Sequence, residues 1–405
     1  MKKVSCLLLF ALAFACAAFA DTVYTWTGTA GDGKWSTPNN WDKGSGYPSA
    51  ASHIAQFTKS AAVTVDTGAQ VTLGYIKVTA GNVTINGTAG SYLTLDHAVA
   101  NGSTGYEDGF VVMPGCTLTM NVPMVSNRRV DKWRNGTVVF TAPYTNTVNS
   151  YSLIMGQGTN IIAAGGSIYL PNDILNIANG DGDANGYTTL LVQDDASIFA
   201  KGIAVSIGAN SWNAGRVVQD GAASRVEAFA GNLEIGRAQK AGSPAASYTL
   251  KDGHLSVKGN IHLGLSGSAS LFRQEGGTSR LDNFIFTNSV GRVELAGGQL
   301  YADYDGVITR SASSSVFAFS GGTYMTSTNR DAVFGASLLE LSGTPTLQAA
   351  AGRIFYFPAN IAVADDTVFT QSSGSSVIRN DVEVAGNSSS RMARSMSGGD
   401  RSSRN

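Results

Sequence analysis

Cysteine, charge and proline are all scarce in this chain. Its 405 residues include 3 cysteines, 9 prolines and 4 histidines, and only 14% of them are charged, where about 25% is usual. Two of the cysteines, Cys6 and Cys16, lie in the N-terminal leader, which leaves Cys116 alone in the remainder. A single thiol cannot form an internal disulfide, so a disulfide-stapled scaffold is excluded.

Long hydrophobic runs are missing everywhere except at the N-terminus. Residues 1–20 combine Lys2 and Lys3, a short apolar run and the small-residue pattern Ala18-Phe19-Ala20, which is typical of a cleavable secretory signal. The pattern predicts cleavage before Asp21, a secreted or cell-surface protein, and no transmembrane segment in the mature chain. A lipoprotein is the alternative, but the residues before Cys16 match a lipid-attachment site poorly.

The charge that is present has no strong bias. Without the two lysines of the leader, 26 basic residues stand against 29 acidic ones, a net charge of −3. The basic residues are dispersed along the chain, without the clustered patch that nucleic-acid or anionic-membrane binding requires. Nucleic acid is therefore not expected as a partner.

Short alternating segments fill the rest of the chain. Runs such as "AAVTVDT", "SYLTLD" and "GTVVFTA" place apolar or β-branched residues at every second position and end at Gly, Asn or Asp. This period of two predicts β-strands. Helical periodicity is almost absent, so we expect an all-β protein.

The second half carries a repeat marked by glycine. Glycines that follow an alternating run recur at similar intervals, at Gly221, Gly253, Gly276, Gly297, Gly321 and Gly343. A period of about 22 residues without helical pattern predicts a parallel β-helix, or β-solenoid, over positions 58–385. An array of β-sandwiches is the alternative, although it would not require so short a period.

A cluster of tryptophans precedes the repeats. The stretch "YTWTGTAGDGKWSTPNNW" (Tyr24 to Trp41) contains three of the five tryptophans of the chain. A solenoid exposes apolar residues and unpaired backbone at its first rung, so we expect residues 21–57 to form an aromatic cap with Trp26 and Trp41 buried. In the alternative interpretation, Trp35 or Trp41 is an exposed ring that stacks on carbohydrate.

The same stretch carries a family resemblance. Secreted bacterial β-solenoid proteins of the autotransporter-associated β-strand repeat type have a similar N-terminal segment and similar internal repeats, matched here by Trp26-x-Gly28, Trp35, Asn40-Trp41, Pro48, Phe57 and "YTLKDGHLSVKGNIHLG". The resemblance implies a surface-displayed or secreted passenger rod. The chain departs from the family at residues 386–405, which we predict to be a polar disordered tail in place of a membrane barrel. Either the protein is secreted, or it is the truncated part of a longer one.

One motif suggests a metal. In "NGDGDANG", the residues Asp181, Asp183 and Asn185 match the first half of a calcium loop, in which alternate oxygen ligands converge on the ion. Val192 stands where such a loop would need its closing acid. The motif is therefore a candidate calcium site, with an Asp- and Asn-rich turn between rungs as the alternative.

No catalytic residue is predicted. The tripeptide Gln193-Asp194-Asp195 is similar to one in polygalacturonase-like β-helical enzymes, but the other motifs of those enzymes are missing. Adjacent acids on a strand would also point to opposite faces, whereas glycoside hydrolysis needs two facing carboxyl groups. Apart from calcium, no cofactor is expected.

Together these features predict a non-enzymatic extracellular or cell-surface β-solenoid that acts as a structural or adhesin-like rod. Its partners would be extracellular glycans or molecules of a host or cell surface. Two alternatives stay open: a carbohydrate-binding or polysaccharide-cleaving β-helix, and an inert part of a larger autotransporter.

Overall fold

The computed structural model describes most of the chain after the leader. The described residues are 21–68, 70–97, 109–149, 152–178, 187–206, 214–237, 244–265, 269–287, 290–309, 314–326, 330–357, 360–378 and 382–384. The predicted signal, residues 1–20, and the predicted tail, residues 386–405, lie outside them.

The chain forms a parallel β-helix, as the sequence predicts. Each turn of the β-helix, or rung, places its strands on three faces, which we number 1 to 3 in chain order. Each strand pairs in parallel with the strand of the same face one rung away. Faces 1 and 3 together form one sheet of 24 strands, and face 2 forms a second sheet of 14. Every pairing between named strands is parallel, which excludes the alternative array of antiparallel sandwiches. The strands of face 2 are Ala61–Val65, Asn82–Gly87, Thr117–Asn121, Thr137–Phe140, Thr159–Ile162, Tyr187–Gln193, Ala214–Asp220, Ala246–Leu250, Ser270–Gln274, Gly291–Leu295, Ser315–Phe319, Leu338–Leu341, Asn360–Val363 and Val382–Val384.

Faces 3 and 1 meet at a corner that some strands cross without a break. Face 1 alone contains Thr22–Thr25, His53–Phe57, Tyr75–Val78, Gly109–Val112, Val130–Trp133, Leu153–Met155, Leu233–Ile235, Ile261–Leu263, Ala332–Phe334, Ile354–Phe357 and Ser375–Ile378. Face 3 alone contains Gln70–Leu73, Tyr92–Leu95, Met124–Ser126, Pro143–Asn146, Arg225–Ala228, His254–Val257, Thr323–Thr326, Thr346–Gln348 and Thr370–Ser373. Both faces are spanned by Ser167–Ile177, Ser197–Val205, Thr278–Phe286 and Gln299–Thr309.

The alternating pattern places one apolar column of each face inside. On face 2, for example, Val217, Tyr248, Phe272 and Val293 pair in successive rungs and are all buried. Most buried apolar side chains form one core cluster that runs from Trp26 to Ile361, and Ile54, Tyr75 and Val111 form a small second cluster. Each rung alone is too thin to bury its apolar face, and stacking makes the core continuous.

The repeat length varies along the rod. In the later rungs the paired positions of face 2 keep close to the predicted period, through Ser247, Leu271, Arg292, Val316, Leu338 and Asn360. The preceding rungs are longer, and their paired positions pass through Thr159, Thr189, Arg216 and Ser247. The strands of face 2 keep their register throughout, so the added residues lie outside this face.

The recurrent glycines occupy the corner between faces 2 and 3. A Cβ on Gly276 would overlap the carbonyl oxygen of Lys251 in the preceding rung, and Gly277 has a φ of +62°. Both features exclude ordinary side chains, because one denies space and the other is a left-handed conformation. The glycine repeat therefore marks this corner.

The described residues contain a single helix, the 3₁₀ turn Pro38–Asn40. None of the described helical structure has the length and apolar character to cross a membrane.

Candidate functional site

The tryptophan-rich segment packs as a cluster at the first rung. Trp41 lies between the other two rings, with centroid distances of 5.0 Å to Trp26 and 5.1 Å to Trp35, both in edge-on geometry. Phe57 of the first full rung completes the cluster, 5.9 Å from Trp41. The fractional exposures of the three tryptophans are 5%, 0% and 2% in chain order. The burial of Trp26 and Trp41 expected for a cap is thus confirmed.

Hydrogen bonds fix this cluster and join it to the sheets. The indole nitrogen of Trp35 donates to the Pro48 carbonyl at 2.9 Å, and that of Trp41 donates to the Trp35 carbonyl at 2.9 Å. Thr22–Thr25 pairs with His53–Phe57 on face 1. On face 2, the backbone nitrogen of Trp35 donates to the Thr64 carbonyl at 2.8 Å. The segment therefore covers the first rung on faces 1 and 2.

The two residues predicted as a carbohydrate platform lie inside this cluster. Trp35 and Trp41 present no exposed ring face, so stacking on a sugar would require the cap to open. The candidate calcium residues Asp181, Asp183 and Asn185 lie outside the described residues. In the part of the chain that is described, no three His, Cys, Asp or Glu side chains group as metal ligands.

Asp194 and Asp195 do not lie on a strand, contrary to the sequence interpretation. The strand ends at Gln193, and Asp194 has a φ of +55° in the turn that follows. The carboxylate of Asp195 accepts a hydrogen bond from the Gly165 backbone at 2.9 Å. Asp195 therefore fixes a corner between two rungs, and Asp194 forms the turn.

One lysine occupies the apolar interior. Lys132 belongs to the inward column of face 1, where it pairs with the buried Phe110 in one rung and with Met155 in the next. It is 1% exposed. Its ammonium group donates to the carbonyl oxygens of Arg134 at 2.8 Å, Gly136 at 2.7 Å and Gln157.

This arrangement shifts the titration of Lys132. Burial lowers the pKa of Lys132 from 10.5 to about 7, because loss of hydration disfavours the charged amine. The three carbonyl oxygens come from two successive rungs, so the side chain links these rungs from within. We assign it a structural role, since it is closed off from solutes.

Two inward glutamines have an equivalent role at the corner of faces 2 and 3. The amide nitrogen of Gln274 donates to the carbonyls of Gly277 at 3.3 Å and Gln299 at 3.0 Å, and its oxygen accepts from the Ser279 hydroxyl at 2.6 Å. Gln219 accepts from the Tyr248 hydroxyl at 2.7 Å in the same way. These hydrogen bonds explain why glutamine stands two residues before two of the repeat glycines, Gly221 and Gly276. Glutamine satisfies corner groups that would otherwise be buried without partners.

A shallow groove crosses the outer surface of face 2. It has a volume of about 460 Å³ and a floor of small residues such as Ala318 and Ser320. Arg292 donates to Glu294 at 2.6 Å and to Glu340 at 2.8 Å, and Arg273 donates to Glu294 at 3.1 Å. Desolvation opposes the charge of Arg292, but its bonds to Glu340 and Glu294 raise its pKa overall. These arginine and glutamate charges neutralise one another across successive rungs. We therefore assign them to stabilisation of the stack and not to the binding of an ion.

A second cluster lies at the corner of faces 3 and 1. We call Asp282 and Asp303 the acid pair; each directly follows one of the paired residues Leu281 and Ala302, so they sit in adjacent rungs. Burial, and then the charge of Asp303, raise the pKa of Asp282. Arg280 holds Asp303 through two hydrogen bonds of 2.6 and 3.1 Å, which form a charge-assisted bidentate pair.

The register is irregular beside the acid pair. The strand Gln299–Thr309 contains extra residues opposite Asp282, which form a β-bulge. In the bulge, Tyr304 is 44% exposed, and the guanidinium of Arg330 lies 5.0 Å from its ring centroid. A β-bulge next to two acids in different environments and an exposed aromatic ring is an arrangement found at active sites.

The acid pair was not predicted from the sequence. Asp282 and Asp303 stand in different repeats, and neither belongs to a recognisable motif. The available signal is the repeat period, because residues one repeat apart occupy neighbouring positions on the same face. Applied to every acid in the chain, that rule would have indicated this pair.

Comparisons with known proteins add no relationship. No family model matches the chain, and no curated protein or solved structure matches it. The similarity to autotransporter-associated repeat proteins stays a prediction from the sequence. The parallel β-solenoid with an N-terminal aromatic cluster, which the repeats and the tryptophans predicted, is the fold of this chain.

Proposed function

We propose that the protein is an extracellular or cell-surface rod that presents its lateral faces for adhesion. The observation that carries the proposal is the continuous apolar core extending from Trp26 to Ile361, closed at its start by the tryptophan cluster. Such a stack is stiff because every rung is hydrogen-bonded to both neighbours. It places surface residues at regular intervals far from the point of attachment, which is what a display scaffold requires.

Polar ladders on the outside support the same proposal. On face 2, Thr117, Thr137, Thr159 and Thr189 pair in successive rungs, so identical hydroxyl side chains stack without charge repulsion. The leader of residues 1–20 supports export, since it matches a secretory signal.

The test of export is expression of the full chain in a bacterium with a general secretion pathway. The expected result is a processed protein beginning at Asp21 in the extracytoplasmic fraction, identified by mass spectrometry. The variant Ala20→Asp should block processing, because cleavage needs a small residue there; Ala17→Ser serves as the matched control. Unprocessed protein retained in the cytoplasm would contradict the proposal.

Adhesion is tested with the purified rod. Beads coated with residues 21–405 should adhere to cells or to matrix glycans, whereas beads coated with heat-unfolded protein should not. The absence of any difference between folded and unfolded coatings would rule out an adhesive role of the solenoid.

A second candidate function is polysaccharide cleavage at the acid pair. It is favoured by one observation, the position of Asp282 and Asp303 in adjacent rungs at a β-bulge, where burial raises the pKa of Asp282. In that mechanism Asp282 would protonate the leaving oxygen of a glycosidic bond, and Asp303 would act as the base or nucleophile. A reducing-sugar assay tests it: activity should disappear in Asp282→Asn and persist in Asp252→Asn, whose acid belongs to a corner turn.

A further inference from the structure

Face 3 carries a row of outward aromatic side chains in three successive rungs. Tyr169 pairs with Phe199, and each lies between two buried inward residues, so both rings point away from the core. Phe229 follows the paired residue Ala228 in the next rung, one outward position further along the strand direction, and its backbone nitrogen donates to the Ala200 carbonyl at 3.1 Å. Tyr169 is 47% exposed, and the other two rings are partly exposed. We call these three residues the aromatic track.

Rungs lie about 4.8 Å apart, so the track forms a slightly oblique strip of ring surface along the rod. Exposed aromatic side chains are uncommon on this protein, because most of its phenylalanines and tryptophans belong to the core. The three aromatic side chains of the track, in successive rungs on one face, therefore form an amphipathic surface. Packing of the core does not require them, because they lie outside it.

Hydrogen-bonding side chains border the track. Lys201 lies next to Phe199 on the outward side of the same strand, and Arg225 and Glu227 stand in the following rung, where Glu227 pairs with Phe199. Among the described residues, none of these three charged side chains forms an ion pair or a side-chain hydrogen bond with another group. The Arg–Glu groove of face 2 differs in this respect, because its charges are already paired.

We infer that the aromatic track is a binding site for a polysaccharide chain lying along the rod axis. The apolar faces of sugar rings stack on aromatic side chains, while arginine, glutamate and lysine exchange hydrogen bonds with hydroxyl groups. The track leads along the same face towards the acid pair. A chain bound there would gain several weak contacts at once, as a repeating ligand does on a repeating surface.

Other occupants fit less well. A protein partner generally requires about 800 Å² of buried surface on each side, which three partly exposed rings and their neighbours do not offer. A nucleic acid would stack on the rings as well, but it demands a strongly basic path, and Glu227 lies in the middle of this site.

Affinity electrophoresis of the purified chain tests the inference. The gels contain hydroxyethylcellulose, xylan or polygalacturonate, and single-stranded DNA is offered in a separate titration. Retardation is expected in at least one of the polysaccharides. Retardation by none of them, or binding to DNA alone, would overturn the inference.

Substitutions then locate the site. Tyr169→Ala and Phe199→Ala should each weaken polysaccharide binding by about tenfold, the effect of losing one stacked ring. Tyr187→Ala is the matched control, since Tyr187 is equally exposed, at 47%, on face 2. Circular dichroism of each variant verifies folding. Equal affinities in wild type, Tyr169→Ala and Phe199→Ala would place binding elsewhere and refute the track.

The inference supplies a ligand for the proposed adhesive rod and in that sense rests on it, yet the two fail separately. Export is read from the processed N-terminus in cells, and binding is read from purified protein. Binding without export would retain the track and refute the extracellular role.

Discussion

Lys132 gives the sharpest quantitative prediction, because its amine is buried among apolar side chains. With a pKa of about 7 in the folded protein and 10.5 when unfolded, the folded state releases its proton first as the pH rises. Between these values the unfolded chain binds the extra proton, so the free energy of unfolding increases with pH. The slope approaches about 1.4 kcal/mol per pH unit above the folded pKa. Because half of the folded molecules are already neutral at pH 7, the increase between pH 7 and pH 9 is about 2 kcal/mol.

That increase is an upper limit for a structural reason. The carbonyl oxygens of Arg134, Gly136 and Gln157 accept hydrogen bonds from the amine, and they favour its charged form. Below about pH 6 both states are almost fully protonated, and the contribution no longer changes with pH.

The substitution Lys132→Met isolates this effect. Methionine suits the column that already contains Met155, and it removes the titrating group. The substitution removes the cost of burying a charge, but it also leaves three carbonyl groups without a hydrogen-bond donor. Whatever the net change in stability, the free energy of unfolding of the variant should no longer rise with pH through this site. Lys251→Met, at an exposed corner position, is the matched control and should keep it.

Hydrogen exchange measured by mass spectrometry suits the experiment, because a long repeat array does not unfold as one unit. Protection of peptides covering residues 130–160, corrected for intrinsic exchange, should rise from pH 7 to pH 9 in the wild type and stay level in Lys132→Met. Peptides covering residues 338–363 should not respond in either protein. A wild type without the rise, or a variant that retains it, would refute the assignment of a neutralised interior amine.

The remaining predictions concern the cap, the corners and the inward amides. Trp41→Ala should destabilise the first rungs by about 3–5 kcal/mol, because the cluster loses its central ring. The measurement is hydrogen exchange, which should become faster in residues 53–65. Unchanged hydrogen exchange would mean that the segment does not act as a cap. Gly277→Ala should lower the melting temperature more than Gly352→Ala. Both glycines have a positive φ, but only at Gly277 would the added Cβ meet a carbonyl oxygen, at 2.5 Å. Equal shifts in melting temperature would contradict the argument from close approach. Gln274→Leu should destabilise the corner locally by about 1–3 kcal/mol, because buried polar groups lose their partners, although leucine occupies the equivalent position at Leu295. Hydrogen exchange of peptides covering residues 270–286 measures this loss, and unchanged exchange would contradict the role assigned to the amide.

The fold was open to prediction from the sequence to an unusual degree. Each rung repeats the same local problem, so the alternation within strands and the regular recurrence of glycine between them report directly on the architecture. The burial of Trp26 and Trp41 followed from the same logic, since a stack must be closed at its first rung. Compositional and local signals were sufficient because stacking in the later rungs connects residues at nearly constant separation.

The functional surfaces were less accessible to sequence reasoning. The tryptophans that suggested a sugar platform, Trp35 and Trp41, are buried, while the exposed rings of the aromatic track stand in ordinary strand sequences. Tyr169 and Phe199 pair although they are further apart in the chain than the paired residues of later rungs, because the intervening connection is longer. A fixed period taken from the glycine repeat would therefore have misplaced them.

By itself the sequence determined that this protein is an all-β solenoid with an aromatic N-terminal segment, because alternation and repetition are local properties that any rung must satisfy. Only the tertiary structure decided which side chains become neighbours. It set Lys132 inside the column of Phe110 and Met155, brought Asp303 beside Asp282, and aligned Tyr169 with Phe199. The physical reason is register: the length of each connection fixes which residues stack, and a surface of several rungs exists only once every register has been set.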